Sequence, residues 1–350
     1  MHAPQSHLRI LLCYKNFSGK PGVSHVGLGV SALNAQKCLH RAGLHCDLLA
    51  AKSAADLGDY LAQAKARGEH FTHVIVSAPW LKTEEFGALC YAYPRTNFAV
   101  TCHSNIGFLQ ADPQAIKLIR EQLALETGVH NFRMTTNSIP ASKAMAAMWG
   151  DPVSTLPNLY FIDNHVRHSR PGWSHTGGIL RIGIFGATRP LKNMLTAVCA
   201  AVIIARDLKA HVEIWMNAGR NEGGGSVSSA IKEMTIGMPS VQVKELPWSS
   251  WPSFRKHVAS MHLLLQPSYT ESFNMVTADG VHEGVPSVVS SAIDWAPIEW
   301  RAHVDDANDV ARKGVALLHD HNAALHGLRA LERHNEESMK TWLNFLGRSI

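Results

Sequence analysis

Two rhythms of apolar residues run through this chain. Short, nearly unbroken apolar runs bounded by turn formers predict strands buried on both faces, at 9–14 (RILLCY), 46–50, 73–78 and 97–103 (NFAVTCH). Between them apolar positions recur at helical spacing. Over 27–43, Val30, Leu33, Asn34, Lys37, Cys38 and Arg41 fall on i, i+3, i+4 positions and the stretch closes on a glycine, as a crossover helix does. Over 112–125, Asp112 is placed to cap a helix with proline at its first position. The rhythm lapses between about 158 and 178, where FIDNHVRHSRPGWSHTGG has turn formers, histidines and arginines but no apolar repeat. It then resumes with strands at 180–187, 211–218, 241–246, 262–268 and 286–291. Helices are expected at 193–208 and 252–261, from about 273–274, and as one or two amphipathic helices over 321–346.

Strand and helix alternating in this order predict parallel βαβ construction in two doubly wound α/β halves, with ligands where loops leave the carboxyl ends of the strands. The expected organisation is an N-terminal domain over 1–160, a linker over 161–178 and a second domain over 179–330. A final helix over 331–350 is expected to pack back on the first domain. A length of 350 residues agrees with two domains. No repeat of about 20–50 residues is evident.

Composition narrows the picture. The chain is 46% hydrophobic and 17% charged, without an apolar stretch of ~18 residues that would span a membrane. Its start lacks the regions of a secretory signal, so a cytoplasmic location is expected. Six cysteines stand singly, without metal-like spacing, and predict buried reduced thiols. The 21 histidines are scattered and form no metalloenzyme pattern, so no metal site is expected. A formal net charge of +5 suits an anionic ligand, whether a nucleotide diphosphate or a nucleic acid.

Two stretches carry candidate chemistry. In FGATRPLKN (185–193), Gly186 and Thr188 leave an apolar strand, Arg189 and Lys192 follow, and a helix opens. Amides at a helix start favour a phosphate, and the two cations add charge-assisted hydrogen bonds. Taken alone, the loop reads more readily as a solvated basic turn. In YTESFNMVTADGVHEGVP (269–286), a strand ends, the chain turns, and a helix begins near Phe273 or Asn274. The amides of Ser272, Phe273, Asn274 and Met275 then offer a second anion site. Glu271, just before the helix, is placed to reach sugar hydroxyls, and Asp279, eight positions on, to accept from both hydroxyls of a ribose.

With these residues in view, TESFNMVTADGVHEGVPSVVS resembles the E-x7-E segment of retaining GT-B glycosyltransferases of the family 4 type. Glu271, Ser272, Phe273, Gly284, Val285, Pro286 and Val288 match it; Asn274 replaces the usual glycine and Asp279 the second glutamate, with Glu283 one turn on as a substitute. FGATRPLKN is similar to the family's phosphate segment and LPNLYFID (156–163) to its approach to the second domain. TCHSNIG (101–107) is similar to the strand end that presents a histidine, here His103, to the donor sugar. SGKPGVSHVGLG (18–29), which includes Gly27, is similar to its glycine-rich first loop.

The resemblance implies a GT-B fold, two Rossmann-like doubly wound domains facing a cleft. It implies transfer of a sugar from a nucleotide diphosphate sugar, UDP-sugar favoured, to an acceptor hydroxyl with anomeric configuration kept and neither metal nor cofactor. Arg189 and Lys192 would carry the diphosphate, Glu271 and His103 the sugar. A glycosidase would need a flanking acid and nucleophile or base, and nothing in the chain identifies that pair. The resemblance to a compact bacterial and bacteriophage branch leaves a saccharide, a small molecule or a hydroxymethylated DNA base as acceptor. Lys15, Lys20, Arg41, Lys52, Lys65, Arg67, Lys82 and Arg95 are the cations available for nucleic acid phosphates. The departure at Asp279 also admits a nucleotide-sugar-binding protein without catalysis.

Overall fold

The computed structural model describes residues 8–16, 26–169, 173, 178–217 and 220–347. It divides into two compact units, residues 1–161 with 335–350, and residues 162–334. Unit 1 runs β1 (Arg9–Lys15), α1 (Val26–Arg41), β2 (His45–Ala51), α2 (Ala54–Ala66), β3 (His73–Ser77), α3 (Thr83–Ala92), β4 (Asn97–Cys102), α4 (Ile106–Leu109), α5 (Pro113–Gly128), β5 (Phe132–Thr136), α6 (Ile139–Trp149) and β6 (Ser154–Thr155). Unit 2 continues with β7 (Leu180–Ile184), α7 (Met194–Asp207), β8 (Val212–Asn217), α8 (Gly225–Thr235), β9 (Val241–Leu246), α9 (Trp251–Val258), β10 (Leu263–Gln266), α10 (Met275–His282), β11 (Ser287–Ser290), β12 (Arg301–Ala302) and α11 (Ala307–His319). The last helix, α12 (Ala323–Phe345), begins in unit 2, and from Asn335 its residues count with unit 1.

Each unit holds one six-stranded sheet, ordered β2-β1-β3-β4-β5-β6 and β12-β11-β10-β7-β8-β9, with every pairing parallel. Strand alternation separates two cores in unit 1. Leu11 and Cys13 face one side with Phe86, Phe98 and Phe132; Ile10 and Leu12 face the other with Leu39, Trp342 and Leu346. Phe86 meets Phe98 and Phe132 edge-on, at centroid separations of 5.8 and 5.1 Å. Trp342 belongs to α12, and its Nε1 donates to the Pro157 carbonyl at 2.8 Å. In unit 2 the strands β10 and β11 are buried at every residue, whereas the edge strand β9 is partly open along its length. The cap expected at Asp112 is present, its side chain accepting from the Ala115 amide at 3.0 Å. All six cysteines are free thiols.

The segment expected as a linker is partly built into unit 2. Between 162 and 169 it lacks an apolar repeat because polar groups fasten it to the end of α10. His282 Nε2 pairs with Asp163 Oδ1 at 3.0 Å, the Arg167 amide donates to the His282 carbonyl at 2.9 Å, and Arg167 lies 3.6 Å from Glu283. Much of 170–177 lies outside the described residues, as do 17–25, which hold most of the glycine-rich first loop and Lys20.

Gly284 closes this arrangement. It sits at φ +73°, and a Cβ there would stand 2.5 Å from the Ser169 carbonyl oxygen. Gly43, at φ +76° after α1, has nothing within 4 Å of the same atom. Gly43→Ala is therefore expected to cost only the left-handed backbone strain, about 1–2 kcal/mol. Gly284→Ala should lose about a further 1–3 kcal/mol through the clash. Urea denaturation of the two variants measures the difference; equal losses would mean that the Ser169 backbone yields freely.

Candidate functional site

In unit 2 the chain moves from β7 outward through β8 and β9, then returns to β10 on the opposite side of β7. Such a reversal leaves a crevice at the carboxyl ends of the two central strands, because their loops part in opposite directions. The loops here are 185–193 and 267–274. Gly186 sits at φ +126°, a region open only to glycine, and its amide donates to Asn217 Oδ1 at 3.0 Å. A Cβ on it would stand 3.4 Å from Lys192 Cε, so the bare backbone leaves room for the lysine stem.

Three fasteners join the loops. Asn193, at φ +54°, donates from Nδ2 to the carbonyls of Pro267 at 3.0 Å and Val304 at 2.6 Å. The Tyr269 amide donates to the Leu191 carbonyl at 3.0 Å. Lys192 Nζ then forms an ion pair with Glu271 Oε1, and the two side chains are only 11% and 10% exposed. Burial pushes the Glu271 carboxyl up, but the charges of Lys192 and Arg189 and hydrogen bonds from Lys192 and Ser268 outweigh it and hold the group below its ordinary value.

Asn274 ties this pair to α10. Its Nδ2 donates to Glu271 Oε1 at 3.1 Å and to Gln266 Oε1 at 3.2 Å, and its Oδ1 accepts from the Thr277 amide at 2.9 Å. The residue sits at φ +65°. Asparagine and glycine are the residues that enter this region at least cost, so the exchange of glycine for Asn274 preserves the turn and adds a helix cap. The positive end of α10 thereby opens beside a lysine and a glutamate in one small volume. Ser272 and Met275 are partly exposed on the same turn.

The remaining expected residues of unit 2 turn to other partners. Arg189 NH1 reaches Glu222 Oε2 at 3.0 Å, and Glu222 also accepts from Arg220 Nε at 2.9 Å. The Thr188 amide goes to the Arg220 carbonyl at 3.0 Å and its carbonyl accepts from the Glu222 amide at 2.9 Å. Thr188 thus builds the turn. Phe273, 2% exposed, stacks on Trp295 at a centroid separation of 5.3 Å and holds the loop from the core side. Asp279 is 1% exposed and accepts from Trp251 Nε1 at 3.0 Å. Glu283 pairs with Arg255, whose Nε lies 2.9 Å away.

Gly27 and His103 belong to unit 1. Gly27 is exposed in the first turn of α1. His103 follows β4, lies 3.3 Å from Asn137 Nδ2 through Nδ1, and lines a small pocket with Ser31, Ser77, Thr101 and Asn158. Burial lowers its pKa to about 4, so the ring is neutral at pH 7.

Gln266, Asn217 and Glu222 are site residues that sequence reasoning passed over. Gln266 is the single polar residue ending the otherwise apolar β10, and Asn217 is the polar last residue of β8, signals legible once the strands are placed. Among the described residues no group of three or more His, Cys, Asp or Glu is placed to hold a metal ion, and no helix is long and apolar enough to cross a membrane.

Comparison with known proteins agrees with this geometry. Residues 141–294, which include both loops, match the model of the family described as Family 4 Glycosyltransferase in conflict systems. No curated protein matches the chain significantly. Among solved structures, a variant of TarM from S. aureus in complex with fondaparinux, alpha-GlcNAc-glycerol and UDP is 15% identical with a TM-score of 0.58. That match covers 78% of this chain and 55% of TarM, so the chain spans about half the length of that protein. The catalytic domain of starch synthase IV from Arabidopsis thaliana, bound to ADP and acarbose, is 9% identical with a TM-score of 0.64, over 97% of this chain and 100% of the other. Sucrose-phosphate synthase from Thermosynechococcus elongatus is 14% identical with a TM-score of 0.61, over 97% and 96%. Two doubly wound sheets of this order, shared with such enzymes, show the GT-B fold, and residues 141–294, which carry both crevice loops, resemble the family 4 glycosyltransferases.

Proposed function

We propose that unit 2 binds the diphosphate of a nucleotide sugar at the β7/β10 crevice, and that the protein transfers the sugar to an acceptor hydroxyl with its anomeric configuration kept. The observation that carries this reading is the buried Lys192–Glu271 pair at the opening of α10. A lysine enclosed beside a helix start is a ready counter-ion for a departing diphosphate, and a carboxylate held ionised beside it is an acceptor for sugar hydroxyls. On arrival of the donor, Lys192 exchanges Glu271 for phosphate oxygens and Glu271 turns to the sugar. Arg189, anchored on Glu222, adds a second positive charge. These groups meet the developing charge without a metal ion. UDP is the favoured carrier; UDP accompanies the TarM structure and ADP that of starch synthase IV.

The acceptor enters this reading as a hydroxyl. For a DNA acceptor the cations of unit 1 would have to form one face. They divide instead: Lys15 ends β1 and Lys52 and Lys82 follow β2 and β3 at the carboxyl edge of the sheet, whereas Arg41, Lys65, Arg67 and Arg95 lie at helix ends and strand starts on the opposite edge. A saccharide or small-molecule acceptor therefore stands ahead of a modified base.

Incubation with UDP-, ADP- and GDP-sugars should release the nucleoside diphosphate from one donor class. Lys192→Ala should slow release about 100- to 1000-fold. Equal rates in the variant and the unsubstituted protein would end the reading.

The pair also sets a pH dependence. A carboxyl whose folded pKa is depressed contributes stability that is complete above the ordinary value of 4.5 and is lost as pH falls through the lower folded value. Glu271→Gln leaves Lys192 enclosed without its counter-charge, at a cost of about 3–5 kcal/mol near neutrality. The difference in unfolding free energy between the two proteins should hold from pH 7 to about 5 and shrink below 4.5; a constant difference down to pH 3 would show that the carboxylate is not stabilised by its partner.

A further inference from the structure

On the side of the crevice away from β8 and β9, one large aromatic side chain stands in solvent. Tyr269, on the loop after β10, is 48% exposed. The aromatic residues that fasten this loop are enclosed instead: Phe273 and Trp295 are 2% and 8% exposed, and Trp295 Nε1 donates to the Phe273 carbonyl. The Tyr269 amide is already committed to the Leu191 carbonyl, so the loop is held by its backbone and not by the tyrosine ring.

Asp305 comes to the same rim from the turn between β12 and α11. That turn is tied at successive residues. The His303 amide donates to Asp309 Oδ2 at 2.7 Å, the Val304 carbonyl accepts from Asn193, and the Asp305 amide donates to His303 Nδ1 at 3.4 Å. Asp305 itself is exposed, and its carboxylate lies beside the Tyr269 hydroxyl. Partial burial, then the charge of Asp305 and the hydrogen bond to it, hold the phenol above its ordinary value.

A flat aromatic face and a carboxylate, both placed by backbone bonds and both open to solvent, are the two surfaces that a pyranose needs. Its ring carbons present C–H groups that pack on an aromatic face, and its hydroxyls donate to a carboxylate. A nucleic acid phosphate would meet repulsion from Asp305. Tyr269 is two residues from Glu271, at most ~7 Å along the chain, so a sugar on its ring would neighbour the sugar that Glu271 receives.

We propose that Tyr269 and Asp305 form an acceptor subsite for a pyranose: the ring packs on the C–H face of the sugar, Asp305 accepts from its hydroxyls, and the acceptor is accordingly a saccharide. The proposal rests on the diphosphate reading above and deepens it by naming the class of acceptor.

Release of nucleoside diphosphate from the donor that the protein turns over tests it. The rate is measured alone and with methyl glucoside, methyl galactoside, methyl mannoside, maltose, cellobiose, glycerol or duplex DNA containing hydroxymethylcytosine. At least one sugar should speed release, and glycerol and DNA should not. For that sugar Tyr269→Ala should raise KM about tenfold, Tyr269→Phe should keep it within about threefold, and Asp305→Asn should raise it about fivefold. Titration calorimetry with the nucleoside diphosphate should give an affinity within about twofold of the unsubstituted protein in all three variants. An unchanged sugar KM in Tyr269→Ala overturns the subsite. So does an equal loss of sugar KM and nucleoside diphosphate affinity, which would make Tyr269 a support of the loop. If the donor releases its nucleoside diphosphate but no sugar speeds that release, the subsite falls alone; if no donor releases a nucleoside diphosphate and none binds, the diphosphate reading falls and the subsite with it.

Discussion

A charge taken out of water must be met by another charge or by hydrogen bonds, and in unit 2 that requirement is concentrated on Lys192 and Glu271. Both are largely enclosed. Each comes from a different loop, so their pairing demands that the turns after β7 and β10 be held in register. The surrounding polar groups serve that demand: Asn193 reaches the carbonyl of Pro267, Tyr269 reaches back to Leu191, and Asn274 bonds the carboxylate while capping α10. Coulomb attraction at short range, weakly screened by water, then favours the ionised form of Glu271.

The sheet makes this possible at modest cost. Parallel strands deliver all their carboxyl ends to one edge, and reversal of the chain between β9 and β10 separates neighbouring loops there. Glycine at 186 and asparagine at 193 and 274 supply the positive φ angles that tight exits from strands require. Apolar residues such as Phe273 and Phe185, buried beneath the loops, fix their depth. The crevice is thus a consequence of topology, and its chemistry a consequence of which side chains the turns present.

Much of this could be read from the sequence, for identifiable reasons. Strands buried on both faces are written as unbroken apolar runs, so β1, β3, β7 and β10 were legible. β5 was not, because FRMTT hides its burial behind hydroxyls: Thr135 bonds the Val100 carbonyl at 3.0 Å and Thr136 the Ser138 carbonyl at 2.9 Å, which lets both sit fully buried. The strap over 162–169 escaped likewise, since ion pairs and backbone bonds leave no periodic trace. Residue types around the crevice were legible as chemistry, but their directions were not. Sequence spacing put Asp279 on a helix with Glu271, yet only packing against α9 decides that its carboxylate meets Trp251. Thr188 and Phe273 lie within the motifs and prove to build the turns.

The two departures from the family pattern therefore have opposite meanings. At 274 the backbone geometry restricts the choice to residues that tolerate φ +65°, and asparagine satisfies it while adding bonds to Glu271 and to the helix amide. The turn that opens α10 is thus preserved despite the substitution. At 279 the backbone is ordinary helix, so nothing in the main chain restricts the side chain; its length and its neighbour decide its use. A carboxylate one methylene shorter, enclosed and bonded to an indole, meets the start of α9. The two departures thus differ in what fixes them: main-chain geometry at 274, and packing of the side chain against α9 at 279.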